Sequence, residues 1–161
     1  MPTVDRNSLE RVDEQPDGKA LTWPRTTIKT QTRPLGTNGM GWAAIVVCER
    51  GVGPRFVVLL VMERGSVPVS LKLFSNASGQ TMPVPIFRLQ FKRGSGGQGY
   101  AEAILVAAEF QRLVDAHAVL SGRLGSSPFV FGADDKAVII EMWRAALETG
   151  PHPLDSSVTP G

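Results

Sequence analysis

A chain of 161 residues, 42% hydrophobic and 20% charged, suits one folded domain with tails and an ordinary apolar core. Its longest apolar run, Phe56 to Met62, is too short to span a bilayer, and its polar, charged start does not read as a secretory signal. One cysteine, Cys48, excludes an internal disulfide; set inside an apolar run, it reads as a buried free thiol suited to a reducing compartment.

The formal net charge of +2 conceals a partition along the chain. Residues 1–17 carry five acids and two bases, residues 18–101 eleven bases and two acids, and residues 102–161 four bases and eight acids. Charge segregated in this way predicts a cationic surface that attracts polyanions or acidic protein patches.

Residues 1–40 read as a polar arm. Pro2, Pro16, Pro24 and Pro34 interrupt any periodicity, and Lys19, Arg25, Lys29 and Arg33 make its second half basic. Trp23-Pro24-Arg25 offers an indole to anchor that arm. Two continuously apolar runs follow, Trp42 to Glu49 and Phe56 to Glu63, and their pattern predicts central strands covered on both faces.

Residues 67–93 carry the main functional signal. Val67, Val69, Leu71 and Leu73 alternate with Pro68, Ser70 and Lys72, and Phe87, Leu89 and Phe91 alternate with Arg88, Gln90 and Lys92. Period-two alternation marks strands buried on one face. With turn residues from Ser75 to Pro83 between them, the two runs predict a β-hairpin with Ser70, Lys72, Arg88, Gln90 and Lys92 on a cationic face. No carboxylate occurs from Gly65 to Ala101. Phe87 and Phe91, sharing the apolar side, are expected in the core, which leaves Phe74, Trp23, Trp42 and Tyr100 as stacking candidates.

Gly94 to Gly99 reads as a flexible linker or a mobile loop; it has neither the Lys-Ser/Thr of a phosphate-cradling loop nor dinucleotide spacing. A helix is expected from about Ala107 to Leu120, with Phe110, Leu113, Val114 and Ala118 as its apolar stripe and Gly122 as its stop. Ala103 to Val106 is either its first turns or a fifth strand. His117, beside that stripe, reads as a partly buried packing residue. Ser127 to Gly132 fits a short strand. Asp134 or Asp135 then caps a second helix, Lys136 to about Glu148, whose stripe of Val138, Ile139, Met142, Trp143, Ala146 and Leu147 covers the sheet or supplies a subunit interface anchored by Trp143.

Reaction chemistry is not written in this chain. Its two histidines, His117 and His152, sit on a helix and in the tail, no Cys/His set has metal spacing, and no Gly-x-Ser-x-Gly elbow occurs. The expectation is a non-enzymatic protein with no catalytic residue, no metal and no cofactor. The candidate contact residues are Lys29, Arg33, Lys72, Arg88, Lys92 and Arg93. Two roles compete: an accessory part of a nucleoprotein assembly, or a free single-strand binder that tracks phosphates along a basic sheet face.

The expected fold class is α+β, with α/β as the variant: a single domain with a mixed or antiparallel four- to five-stranded sheet covered by two helices. Its boundaries are an arm at 1–40, a core at 41–149 and a mobile tail at 150–161. Size and layout, a compact core from Trp42 to Glu148, one free cysteine, a basic leader through Lys19, Arg25, Lys29 and Arg33, and a short Gly/Pro tail together make the whole chain resemble the small packaging and assembly factor in the polymerase complex of cystoviruses, the double-stranded RNA bacteriophages. The resemblance implies a homodimer inside the inner procapsid of the virion, made in the host cytoplasm and not bound to membrane. It implies help with shell assembly, positioning of the RNA-dependent RNA polymerase and stabilised packaging of single-stranded RNA segments. The partners implied are that polymerase, the major inner capsid shell protein, the packaging motor and single-stranded viral RNA.

Overall fold

The computed structural model describes residues 9–14, 25–36, 39–49, 52–65, 67–94 and 97–149. In chain order the elements are β1 (Leu9–Glu14), β2 (Arg25–Thr30), β3 (Arg33–Pro34), β4 (Met40–Glu49), β5 (Gly53–Glu63), β6 (Leu71–Ala77), β7 (Gln80–Pro83), β8 (Arg88–Arg93), β9 (Gly99–Val106), α1 (Ala107–Asp115), β10 (Val119–Leu124), β11 (Ser127–Val130) and α2 (Ala133–Leu147). The strands form two antiparallel sheets. The larger has seven strands in the order β1-β2-β4-β5-β9-β8, with the short β3 beside β2 on the same edge of β4; the smaller has four in the order β11-β10-β6-β7.

The fold class is α+β, with two helices and antiparallel sheets. There are more strands than the four or five expected, because the arm contributes three, the turn expected at Ser75 to Pro83 contains β7, and the stretch expected to end the first helix is β10. Residues 9–14 and 25–34, assigned to an arm, are strands of the larger sheet, so Lys29 and Arg33 sit on the domain itself. The β-branched Thr26, Thr27, Ile28 and Thr30 of β2 suit a pleated, half-buried surface: Thr27, Ile28 and Thr30 are buried. Trp23 and the tail from residue 150 lie outside the described residues.

The hairpin expected from residues 67–93 does not form. Of its first half, Leu71 to Phe74 enter β6, which pairs with β7 and β10 in the smaller sheet, while residues 67–70 stay outside any strand and Val69, expected on the buried side, is 84% exposed. Its second half becomes β8, the edge strand of the larger sheet, paired with β9. The reason is local. Ser78 and Gly79 both take positive φ, 55° and 78°, and close a two-residue turn from Ala77 to Gln80, so the supposed loop is itself a hairpin. The glycine-rich stretch connects β8 to β9, and among its described residues the Gly94 amide donates to the Gln98 carbonyl at 2.7 Å.

One core joins the two sheets and both helices. Trp42, Ala44, Val46 and Cys48 of β4 point into it beside Val57, Leu59 and Val61 of β5 and Ala101, Ala103 and Leu105 of β9. The helices supply Phe110, Val138, Ile139, Met142 and Trp143, and the smaller sheet supplies Leu71, Leu73, Leu120, Leu124 and Phe129. Aromatic contacts tie these layers together, with Trp42 and Phe131 ring centroids 4.9 Å apart and Phe110 and Trp143 edge-on at 5.0 Å. Asp135, at the start of α2, accepts the Trp42 indole N–H at 3.0 Å, the Arg33 Nε–H at 3.2 Å and the Gly132 amide at 3.2 Å. The helix starts three residues earlier than expected, at Ala133 with Gly132 as its N-cap, so Asp134 and Asp135 lie in its first turn and neither is the cap; Asp135 reaches back to the Gly132 amide and also fastens α2 to β3 and β4.

The first helix ends earlier than its apolar stripe implied. His117 takes the left-handed conformation at φ 52°, its amide donates to the Val114 carbonyl, and the Ala118 amide reaches back to Leu113, which is the bonding of a Schellman stop. His117 is accordingly exposed and not a packing residue.

Candidate protein and nucleic-acid interface

Because side chains alternate across a strand, the odd-and-even logic that buries Trp42, Ala44 and Val46 turns Ala43, Ile45 and Val47 to the other face of the larger sheet. The pairing register places their neighbours in rows. Ile45 lies opposite Val58, and Val58 opposite Ile104. Val47 lies opposite Phe56, and Phe56 opposite Val106. Ala43 lies opposite Leu60, and Leu60 opposite Glu102; Met62 lies opposite Tyr100. Ile45, Val47, Phe56, Val58, Leu60, Met62 and Ile104 are all partly exposed, and Val106 is exposed. Among the described residues no element is packed on this face, since both helices and the smaller sheet share the opposite one.

The two continuous apolar runs were expected to be covered on both sides; within the described residues they are covered on one. An antiparallel sheet with one wet face ordinarily turns polar residues to water. Here, among the described residues, the face turned away from the core is aliphatic at its centre, the pattern of a contact surface.

Cations border that face. On β8, Arg88 lies opposite Ile104 and Lys92 opposite Tyr100, so both project on the open side with Gln90 between them. Across the apolar field, Lys29 of β2 lies opposite Ile45 and beside Glu10 of β1. Lys92 is paired with Glu102 at 3.2 Å, while Arg88 has the Gln90 side-chain oxygen within 3.1 Å in the amide orientation that satisfies both groups. The remaining candidates do not join them. Arg33 is neutralised by Asp135 on the core side. Lys72 lies in the smaller sheet, opposite Arg123. Arg93 donates to the Gly97 carbonyl at 3.0 Å within its own turn. Trp143, the interface candidate, is only 3% exposed and donates its indole N–H to Gln111 at 2.7 Å, so it is spent in the core of its own chain.

Two residues at this rim, Phe87 and Arg55, are not among those the sequence singled out as exposed contacts. Phe87 was placed in the core by extending the alternation of β8 back past its first residue; it is 66% exposed and stacks on Phe56 with ring centroids 5.7 Å apart and planes at 29°. Pro85, two residues earlier, was the available signal, because the chain around a proline need not keep the pleat of the strand that follows. Phe91, by contrast, packs against the core as expected. Arg55 sits where the β4–β5 register skips a residue, Val47 facing Phe56 and Cys48 facing Pro54. Such a bulge re-aims a side chain, and the Arg55 guanidinium lies 5.9 Å from the Phe56 ring centroid while pairing with Glu49 at 3.2 Å.

Two crevices elsewhere among the described residues are small. The crevice between α1 and α2, lined by Phe110, Leu120, Phe131 and Ile139, holds about 20 Å³, space for one water. A second, between β1, β2 and α2 and lined by Leu9, Arg11, Ile28 and Ala145, holds about 180 Å³, below the range of drug-sized ligand sites. Burial pushes the Cys48 thiol pKa up, and the Thr26 hydroxyl, 2.6 Å from Asp13, holds that carboxyl below its ordinary value. The first describes an inert core thiol and the second a surface hydrogen bond. Among the described residues no group of His, Cys, Asp and Glu side chains is arranged to hold a metal ion, and no helix is long and apolar enough to cross a membrane.

What this geometry supports is contact over a wide aliphatic sheet face with an aromatic and cationic rim. No protein-family model, no curated protein and no solved structure matches the chain, so that face is the ground on which its role must be argued.

Proposed function

We propose that this protein is a non-enzymatic assembly and RNA-packaging cofactor of a viral polymerase complex. In this reading the open face of the larger sheet rests on a protein of the inner shell, either the RNA-dependent RNA polymerase or the shell protein, and the cations of β8 are left at the edge to meet single-stranded RNA. The observation that carries it is the row structure of that face: Ile45, Val58 and Ile104 aligned across three strands with Arg88 at one end and Lys29 at the other. Burying such a face contributes through apolar area, and cations at its border steer polyanions without reading their sequence. The viral setting, the homodimer and the packaging motor as a neighbour come from the resemblance in size and layout.

A free single-strand binder is the second reading. The exposed Phe87 favours it; the aliphatic centre, with Glu102 among its neighbours, weighs against nucleic acid covering the whole face.

The test is sedimentation velocity of the full chain alone, with the polymerase of a double-stranded RNA bacteriophage, and with single-stranded RNA. Val58→Lys combined with Leu60→Lys is expected to abolish association with the protein partner, because it sets two charges in the middle of the face. Arg88→Glu combined with Lys92→Glu is expected to lower RNA association at low salt by about tenfold or more and to flatten its salt dependence. Association unchanged in both double variants, with folding verified by thermal melting, contradicts the proposal.

A further inference from the structure

The geometry points to Phe87 as a stacking site for one unpaired base of single-stranded RNA, a step that rests on the RNA contact proposed above and names its place. Large aromatic rings are usually buried, and this one is 66% exposed. It is not loose: it leans on Phe56 at 5.7 Å with planes at 29°, and its own amide donates to the Ile104 carbonyl at 2.8 Å, which fixes the backbone beneath it. A ring already held flat by a second ring presents its outer surface at little further entropic cost.

The surroundings select the ligand. Arg88 follows Phe87 directly and projects on the open side opposite Ile104. Arg55, carried on the β5 bulge, holds a second guanidinium 5.9 Å from the ring beneath, where Glu49 pairs with it at 3.2 Å, so Arg88 is the cation left to meet a phosphate. A flat π surface beside a guanidinium group matches a base with its phosphate, and every base has such a surface, so the site does not discriminate among them. Duplex RNA, whose bases are stacked internally, offers no free base surface to it. A protein loop could cover the ring by apolar contact, but it has no general reason to bring an anion beside it.

Fluorescently labelled oligouridylate, binding to the full chain both alone and assembled with polymerase, provides the test. Phe87→Ala and Phe87→Leu are both expected to weaken oligouridylate binding by about 5- to 100-fold, the range that loss of one base stack produces. Phe87→Trp is expected to retain it and to show tryptophan fluorescence quenched by oligouridylate and not by duplex RNA. Leucine separates stacking from mere greasiness, and melting temperatures should barely move because the ring is exposed. If the native chain binds oligouridylate and the alanine and leucine variants bind it equally well, the stacking site is wrong while the RNA contact stands. If those variants lose polymerase association and keep RNA, the ring belongs to a protein contact and the inference is overturned. If the native chain binds no oligouridylate in either state, both the site and the RNA contact fail.

Discussion

Trp143 illustrates how a residue's role is decided by what lies next to it. In the sequence it is one of six apolar residues on a helix stripe, equally suited to a core or an interface. In the fold it meets Phe110 edge-on at 5.0 Å, and its only polar atom is satisfied by Gln111. Trp143→Ala should therefore cost about 3–5 kcal/mol of stability in urea unfolding, through the cavity it leaves, while the sedimentation coefficient of the folded protein stays unchanged. A change of oligomeric state at preserved stability would return it to an interface. Asp135 teaches a related lesson. A helix-start aspartate is legible from sequence, but its service to Trp42 and Arg33, 93 and 102 residues away, is not, because that pairing exists only once β3 and β4 are in place.

At the scale of elements, the chain was legible where the local signal was strong and unopposed. The runs that become β4, β5 and α2 lie close to where their patterns put them, and Ala103–Val106 is the strand that was one of its two readings. What failed was pairing. Period-two alternation says that a strand has a buried side; it does not say against which strand. Residues 71–74 and 88–91 each alternate correctly and go to different sheets, because Ser78-Gly79 turns the first one back on β7 and Gly94–Gly99 turns the second onto β9. Gly122 shows what holds the smaller sheet in register. It lies opposite Leu73 on one side and Phe129 on the other, and a Cβ there would collide with the Lys72 carbonyl oxygen and come within 2.6 Å of the Phe129 ring. Read from sequence as a helix stop, it is a close-approach glycine. Gly122→Ala is expected to destabilise the protein by about 1–3 kcal/mol, as overpacking does, with amide exchange in β6 and β10 quickening more than in β5. Equal stability would mean that the smaller sheet shifts freely to admit a methyl group.

Over the whole molecule, folding undoes part of the charge partition that the sequence displays. Acids from both ends come to the basic middle: Glu14 pairs with Arg25, Asp135 with Arg33 and Glu102 with Lys92. The exposed Glu14–Arg25 pair contributes little to stability, but all three decide which cations remain for a partner. Counting charge along the chain therefore overstated the cationic surface. The apolar runs, in contrast, understated the open face, since a run that looks buried on both sides is half uncovered among the described residues. The central claim is that the face bearing Phe56, Val58, Leu60 and Met62 becomes buried when the protein joins its assembly. Hydroxyl-radical footprinting measures this directly, with Met62 as reporter and Met82, 52% exposed on the edge strand β7 of the smaller sheet, as internal control. Met62 should be oxidised in the free chain and strongly protected after assembly with polymerase and shell protein, while Met82 stays reactive. Equal oxidation of Met62 in the free and assembled states would contradict the account.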